Sequence, residues 1–461
     1  MGEPAKEPQM PSAPPRRMGP RPLPLHLGTA ALTWMSSRAA LPLLMSGLLP
    51  WRPSLVKEAA ALRASLDSVD PEAFAHALDA EVRRRLDLFL RGLERYRHHP
   101  YRRDLPDPPA VWEEGSTRIL DYGATATAAK DGAVVLFVPS LVNRGYILDL
   151  AEGNSFLRWL ARQGVRPLLA DWGRPGARER GFDLTDYIAG RLERALDAAT
   201  ALAGDPIGLA GYCMGGNLVL ALALRRPRQV KALALLATPW DFHADQPELA
   251  RAVAAAAEPI LRVADRLGEF STDALQALFF MLDPYLAPRK FLRFATLEPG
   301  SPRELAFVAL EDWLNDGVPL AAQVARECLQ GWYGANTPGR GLWRVAGNPV
   351  DPRALALPTL VLVPAQDRIV PPPSAEALAR LIPGAERLQP TVGHIGMMAS
   401  GLAESAVWRP LVDWLGRAMA PRPAPHRGPP PSLPSQLQHA YNSREEQGKS
   451  PDEPDRRRNS R

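Results

Sequence analysis

Three features of this chain predict an α/β architecture: a mainly parallel sheet flanked by helices, with a helical cap inserted after the sixth core strand. Short apolar runs of strand length alternate with longer segments whose apolar residues recur at helical spacing. One strand-to-helix joint carries Gly211-Tyr212-Cys213-Met214-Gly215, a reactive side-chain type held between glycines. A long, helical, aromatic-rich stretch then separates two of the strand-like runs and shows no strand–helix–strand pattern of its own. At 461 residues and 46% hydrophobic, the chain can bury one large α/β domain with additions.

Val134-Val135-Leu136-Phe137-Val138 and Arg166-Pro167-Leu168-Leu169-Ala170 read as buried parallel strands, which are apolar on both faces. Asp171-Trp172-Gly173 follows the second as a loop at its carboxyl end. Residues 187–203 place Ile188, Leu192, Ala195, Leu196, Ala199 and Leu202 on one helical stripe, and Gly204 ends that helix. Ile207-Gly208-Leu209-Ala210 is the next strand, with a buried helix over 216–224 behind the glycine turn. Residues 231–237 form the strand before the cap, which occupies about 241–353 and includes Phe279, Phe280, Phe291, Trp332 and Tyr333. Most of these aromatics read as packing between cap and core, and the cap as a cover that keeps water from the site. Leu360-Val361-Leu362-Val363-Pro364 and a run through Arg387-Leu388-Gln389-Pro390 complete the strands.

Strand, Gly-x-nucleophile-x-Gly, helix is the context of a nucleophile elbow, so Cys213 reads as a nucleophile rather than as an inert core cysteine. In α/β-hydrolase folds, nucleophile, acid and histidine follow in that order along the chain. Asp367, in the loop that ends a strand, and His394, on the loop after the next strand 27 residues later, fit that order. His243 follows a strand but precedes Asp367, which leaves it a spare candidate. A paired histidine or a helix N-terminus would raise the thiolate fraction of such a cysteine. The tetrahedral oxyanion needs two fixed donors, one of them the amide after the nucleophile, that of Met214.

Four ordered stretches resemble motifs of the polyhydroxyalkanoate synthases, nearest to the class III catalytic subunits. They are residues 211–218 with the cysteine-bearing lipase box, 138–150 after the third family strand, Asp367-Arg368-Ile369-Val370-Pro371-Pro372, and Gly393-His394-Ile395-Gly396. Trp313-Leu314-Asn315-Asp316 is similar to a further stretch near the covered site, and the likeness runs from about 85 to 418. Arg368 departs from the family, whose members commonly carry His there. The resemblance implies an α/β-hydrolase fold and an acyltransferase. Such an enzyme takes (R)-3-hydroxyacyl-CoA, forms an acyl-cysteine on Cys213 and passes it to a growing polyester hydroxyl. The CoA thioester is substrate, with no cofactor and no metal. It further implies Val142, with Leu141 one residue away, as the second oxyanion donor, and Asn143, Trp313 and Asp316 at the substrate pocket. A thioesterase or polyester hydrolase using the same Cys-His-Asp triad is the alternative, and a non-catalytic granule or membrane-surface protein a third reading.

A thioester exchanges with a thiolate at nearly balanced energy, because attacking and leaving thiols have similar pKa values. The acyl-cysteine therefore stays activated toward an alcohol. Cys213 and Cys328 form no disulfide framework, which favours a reducing compartment. The expected location is the cytoplasm, at the surface of a polyester granule or a membrane face, with a homodimer or an accessory synthase subunit as partner. The net charge of +5 resides in Pro-rich ends, +2 over 1–22 and +3 over 421–461, so no nucleic-acid surface is expected. Residues 1–22 and 420–461 read as disordered tails. Residues 23–84 read as a helical, amphipathic accessory region, interrupted by Arg38 and Pro42 before it could span a bilayer, and the core as 85–419. Signal-peptide features are poor.

Overall fold

The apolar runs pair side by side into an eight-stranded sheet. The strands are β1 Ala110–Glu114, β2 Thr117–Asp121, β3 Ala133–Val138, β4 Val165–Asp171, β5 Ile207–Tyr212, β6 Val230–Leu236, β7 Thr359–Leu362 and β8 Glu386–Leu388. Their order is β1-β2-β4-β3-β5-β6-β7-β8 in the computed structural model, which describes residues 17–125 and 132–420. From β4 through β8 all neighbours are parallel, whereas β1–β2 and β2–β4 are antiparallel. The six strands expected from apolar runs are all present. The β1–β2 hairpin is an addition: Ala110–Glu114 is a largely exposed edge strand whose apolar run, Ala110-Val111-Trp112, is only three residues long.

Three N-terminal helices, α1 Leu23–Met45, α2 Val56–Leu66 and α3 Pro71–Arg97, precede the sheet. The helices α4 Phe156–Arg162, α5 Glu193–Ala203 and α6 Met214–Arg225 lie between strands. The helix expected over 187–203 begins with a wider-turned segment, Asp186–Leu192, and its glycine stop holds, since Gly204 has φ 68°. Leu209, Leu233 and Val361 pack against α5 and α6 on one face of the sheet, while Phe137, Ala234 and Leu362 meet Trp408 and Leu411 on the other. Both faces are thus covered, as a parallel sheet requires.

The cap leaves the core after β6 and returns at β7. It contains α7 Pro247–Leu267, α8 Thr272–Phe280, α9 Leu286–Ala295 and α10 Pro302–Asn315. Among the described residues no helix is long and apolar enough to cross a membrane.

A boundary between 84 and 85 does not exist, because α3 runs through it. Its Phe89, Leu93 and Tyr96 form one cluster with Phe291, Phe294 and Val308 of the cap. The tails expected at 1–22 and 420–461 lie outside the described residues except for 17–22 and 420. Residues 17–22 correct that expectation. Arg17 grips Asp312 of α10 through Nε and Nη2 at 2.6 and 2.8 Å and donates to the Tyr101 carbonyl at 2.6 Å. Polar composition indicates a solvated segment only where no folded partner exists, and the half-buried Asp312 supplies one. Leu32 and Met35 of α1 remain exposed.

Gly92 of α3 lies where a Cβ would strike the Phe291 carbonyl of α9. Gly92→Val is expected to force the two helices apart and cost roughly 1–3 kcal/mol. A thermal melt checks this, and an unchanged midpoint would show that the crossing is not tight.

Candidate active site

β5 ends at Tyr212 and α6 starts at Met214, so the chain must reverse within Cys213. Cys213 does so with φ 57° and ψ −129°, a left-handed conformation uncommon for a residue with a side chain. Its amide donates to Leu236 O at the end of β6 (2.8 Å), and its carbonyl accepts from Gly216 N (2.9 Å). The neighbouring glycines are required by contact. A Cβ on Gly215 would collide with the Val138 carbonyl, and one on Gly216 with the Thr238 side chain. The sulfur thereby sits above the carboxyl edge of the sheet, at the N-terminus of α6, whose first amides have no helical partner.

Asp367 follows β7 in a tight turn. Its Oδ1 accepts from the Ile369 and Val370 amides, both at 2.8 Å, and its Oδ2 accepts from His394 Nδ1 at 2.7 Å. That bond leaves Nε2 of His394 for the other partner of the ring, the Cys213 thiol. His394 is only 7% exposed. Burial alone would lower its pKa, but the charge and hydrogen bond of Cys213 and those of Asp367 together raise it to about 10. Both neighbours thus favour the protonated ring against the cost of burial.

Cys213, His394, Met214, Val142, Asn143 and Trp313 all line one cavity of about 520 Å³ between core and cap. The Val142 amide donates to Ser140 Oγ at 3.2 Å, the long end of the range, while Leu141 turns into the core beside Trp172. Asn143 bridges to Gly317, and its Nδ2 reaches Trp313 O at 3.5 Å. The Trp313 indole donates to Arg144 O at 2.8 Å, which ties α10 to the loop after β3.

Asp316 is a correction. It lies one residue past the end of α10 and does not line the cavity; Leu314 and Asn315 do. Its carboxylate turns instead toward Arg144 (3.8 Å) and Tyr146. His243 stays out of the cavity lining as well, its Nε2 2.8 Å from Tyr333 O. Arg368 stands at the rim, exposed, 3.9 Å from Asp283.

Tyr212 is the functional neighbour that residue patterns did not single out. It occupies the variable position of the elbow. Its hydroxyl donates to the His394 carbonyl at 3.2 Å, and its ring lies 5.2 Å from the imidazole at 33°. Pro20, Arg21 and His26 of the N-terminal segment also line the cavity, a placement with no signal in a Pro- and Arg-rich stretch.

The family defined by the α/β-hydrolase fold matches residues 134–399. Three curated relatives are poly(3-hydroxyalkanoate) polymerase subunits PhaC. The one from Haloferax mediterranei is 30% identical over 66% of this chain and 62% of its own length. The one from Synechocystis sp. is 33% identical over 61% of this chain and 77% of its own. That from Allochromatium vinosum is 30% identical over 66% and 87%.

Cys213→Ala removes the Cys213 charge and hydrogen bond that hold the His394 proton, so the imidazole should titrate at a lower pH than in the unaltered protein. Histidine NMR across the alkaline range checks this, and an unmoved midpoint would mean that sulfur and ring do not interact. Tyr212→Phe should lower kcat by about fivefold, near 1 kcal/mol, with KM unchanged, because only the anchor of the His394 loop is lost.

Proposed function

The chain belongs to the poly(3-hydroxyalkanoate) polymerase family, within the α/β-hydrolase fold, and from that premise we propose that it polymerises (R)-3-hydroxyacyl-CoA through an acyl-cysteine on Cys213. The observation that carries this reading is the His394 imidazole, bonded to Asp367 and interacting with Cys213, at a covered, aromatic-walled cavity.

In the proposed sequence, Cys213 attacks the thioester carbonyl as thiolate. The tetrahedral oxyanion lies against the Met214 amide and that of Val142, which would exchange its long bond to Ser140 for the stronger acceptor. The carbon–sulfur bond to CoA breaks, and the His394 imidazolium gives its proton to the departing thiolate. Acylation consumes the Cys213 charge, which is the first of the influences that raise the His394 pKa. The ring then becomes a competent base. It takes the proton of a 3-hydroxyl on another unit, that oxygen attacks the acyl-cysteine, and the thiolate–imidazolium pair returns as the ester forms. Asp367 holds the ring with Nδ1–H toward itself through all of this. CoA enters as leaving group rather than as a resident cofactor.

The cap favours transfer over hydrolysis by keeping bulk water from the acyl-cysteine. In this reading the protein works in the cytoplasm at the surface of its own polyester product.

Purified protein given 3-hydroxybutyryl-CoA is expected to release free thiol and deposit insoluble polyester. Free hydroxyacid in place of polymer would make it a thioesterase or polyester hydrolase, and no thiol at all would leave a protein of the same fold without this activity. Cys213→Ala should abolish thiol release.

A further inference from the structure

One wall of the cavity comes from outside both core and cap. Pro20, Arg21 and His26, which precede or begin α1, line the same cavity as Cys213. The segment is fastened at two points to the cap helices that supply other parts of the wall. Arg17, 7% exposed at its side chain, pairs with Asp312 on α10, the helix that carries Trp313 and Leu314. Arg21 Nε pairs with Asp273 at 2.7 Å on α8, the helix that carries Gln276 and Phe280. Tyr96 of α3 adds a hydroxyl bond to Asp312 at 2.9 Å, and its ring faces the Arg17 guanidinium at 5.6 Å.

His26 is the one aromatic ring among the three wall residues and is 9% exposed. Its ring meets Phe280 edge-on at 5.2 Å and 80°. Nε2 lies 3.2 Å from the Arg21 carbonyl, so that nitrogen carries the proton, and Nδ1 has no partner. Burial and the nearby Lys290 lower its pKa and keep it uncharged. The ring packed edge-on against Phe280 therefore contributes volume to the wall, anchored by its bond to Arg21.

We propose that the N-terminal segment 17–26 is a structural wall of the acyl cavity, and that the size of residue 26 sets the acyl-chain length the cavity admits. This rests on the acyl-transfer reading above. A longer acyl chain must extend along the cavity, and this wall is clasped to the cap by a largely buried pair at Arg17 and an exposed one at Arg21. Each methylene accepted or refused by an apolar pocket changes discrimination by roughly 10-fold or more.

The test is a size series at one position: His26→Ala, His26→Phe and His26→Trp, compared by kcat/KM for thiol release from 3-hydroxybutyryl-CoA and 3-hydroxyoctanoyl-CoA. The ratio of long to short should rise by roughly tenfold in His26→Ala, stay within about twofold in His26→Phe, and fall by roughly tenfold in His26→Trp. One ratio for all three, in proteins whose melts show them folded, overturns the proposal. Calorimetric binding of unreactive thioether analogues of both lengths, in a Cys213→Ala background, reads the same preference without chemistry. Wild-type protein that releases no thiol from either substrate removes the acyl-transfer reading. The size series in calorimetry then still decides whether residue 26 limits the cavity.

Discussion

Everything in the site depends on the backbone at Cys213 being held where a side chain is not comfortable. A residue with a Cβ at φ 57° costs on the order of 1–3 kcal/mol. That conformation persists because three features leave no alternative. The Cys213 amide is bonded to the end of β6, α6 presses so closely on Val138 of β3 and on Thr238 after β6 that Gly215 and Gly216 have no room for a side chain, and β5 is hydrogen-bonded to strands on both edges. Strain of this kind aims the sulfur out of the sheet. A relaxed turn would fold it back among the buried residues.

The second constraint is electrostatic. Asp367 has both oxygens occupied, one by two backbone amides and one by the imidazole, so it can neither rotate nor leave His394. His394 is buried enough that any charge on it must be balanced locally, and Asp367 and Cys213 both favour the charged ring. Tyr212 then fixes the main chain of the same loop, so ring position is set by side-chain and backbone contacts together. These contacts hold the ring in place before any substrate arrives, the condition under which proton transfer is efficient.

Much of this was readable before any coordinates. Cys213, Asp367 and His394 each follow a strand, those ending at Tyr212, Leu362 and Leu388, so strand order alone places them at one edge. Motif position led to Val142, which lines the cavity, while the side chain of its neighbour Leu141 turns into the core. Asp316 was not: a helix that stops at Asn315 sends the next side chain outward, and periodicity cannot see a stop within one residue. The β1–β2 hairpin escaped because its apolar runs, Ala110-Val111-Trp112 and Ile119-Leu120, are too short to stand out. The Arg17–Asp312 clasp joins positions 295 residues apart in a stretch whose composition otherwise speaks for solvent.

Cys213 shares its cavity with the other described cysteine, Cys328, and burial pushes the Cys328 thiol far above its ordinary pKa. The two sulfurs are therefore chemically unequal although they face the same space. An electrophile such as iodoacetamide would mark one and spare the other, because alkylation needs an ionised sulfur. The mass gained by the intact chain then counts competent protein molecules directly, without a turnover assay or a known substrate.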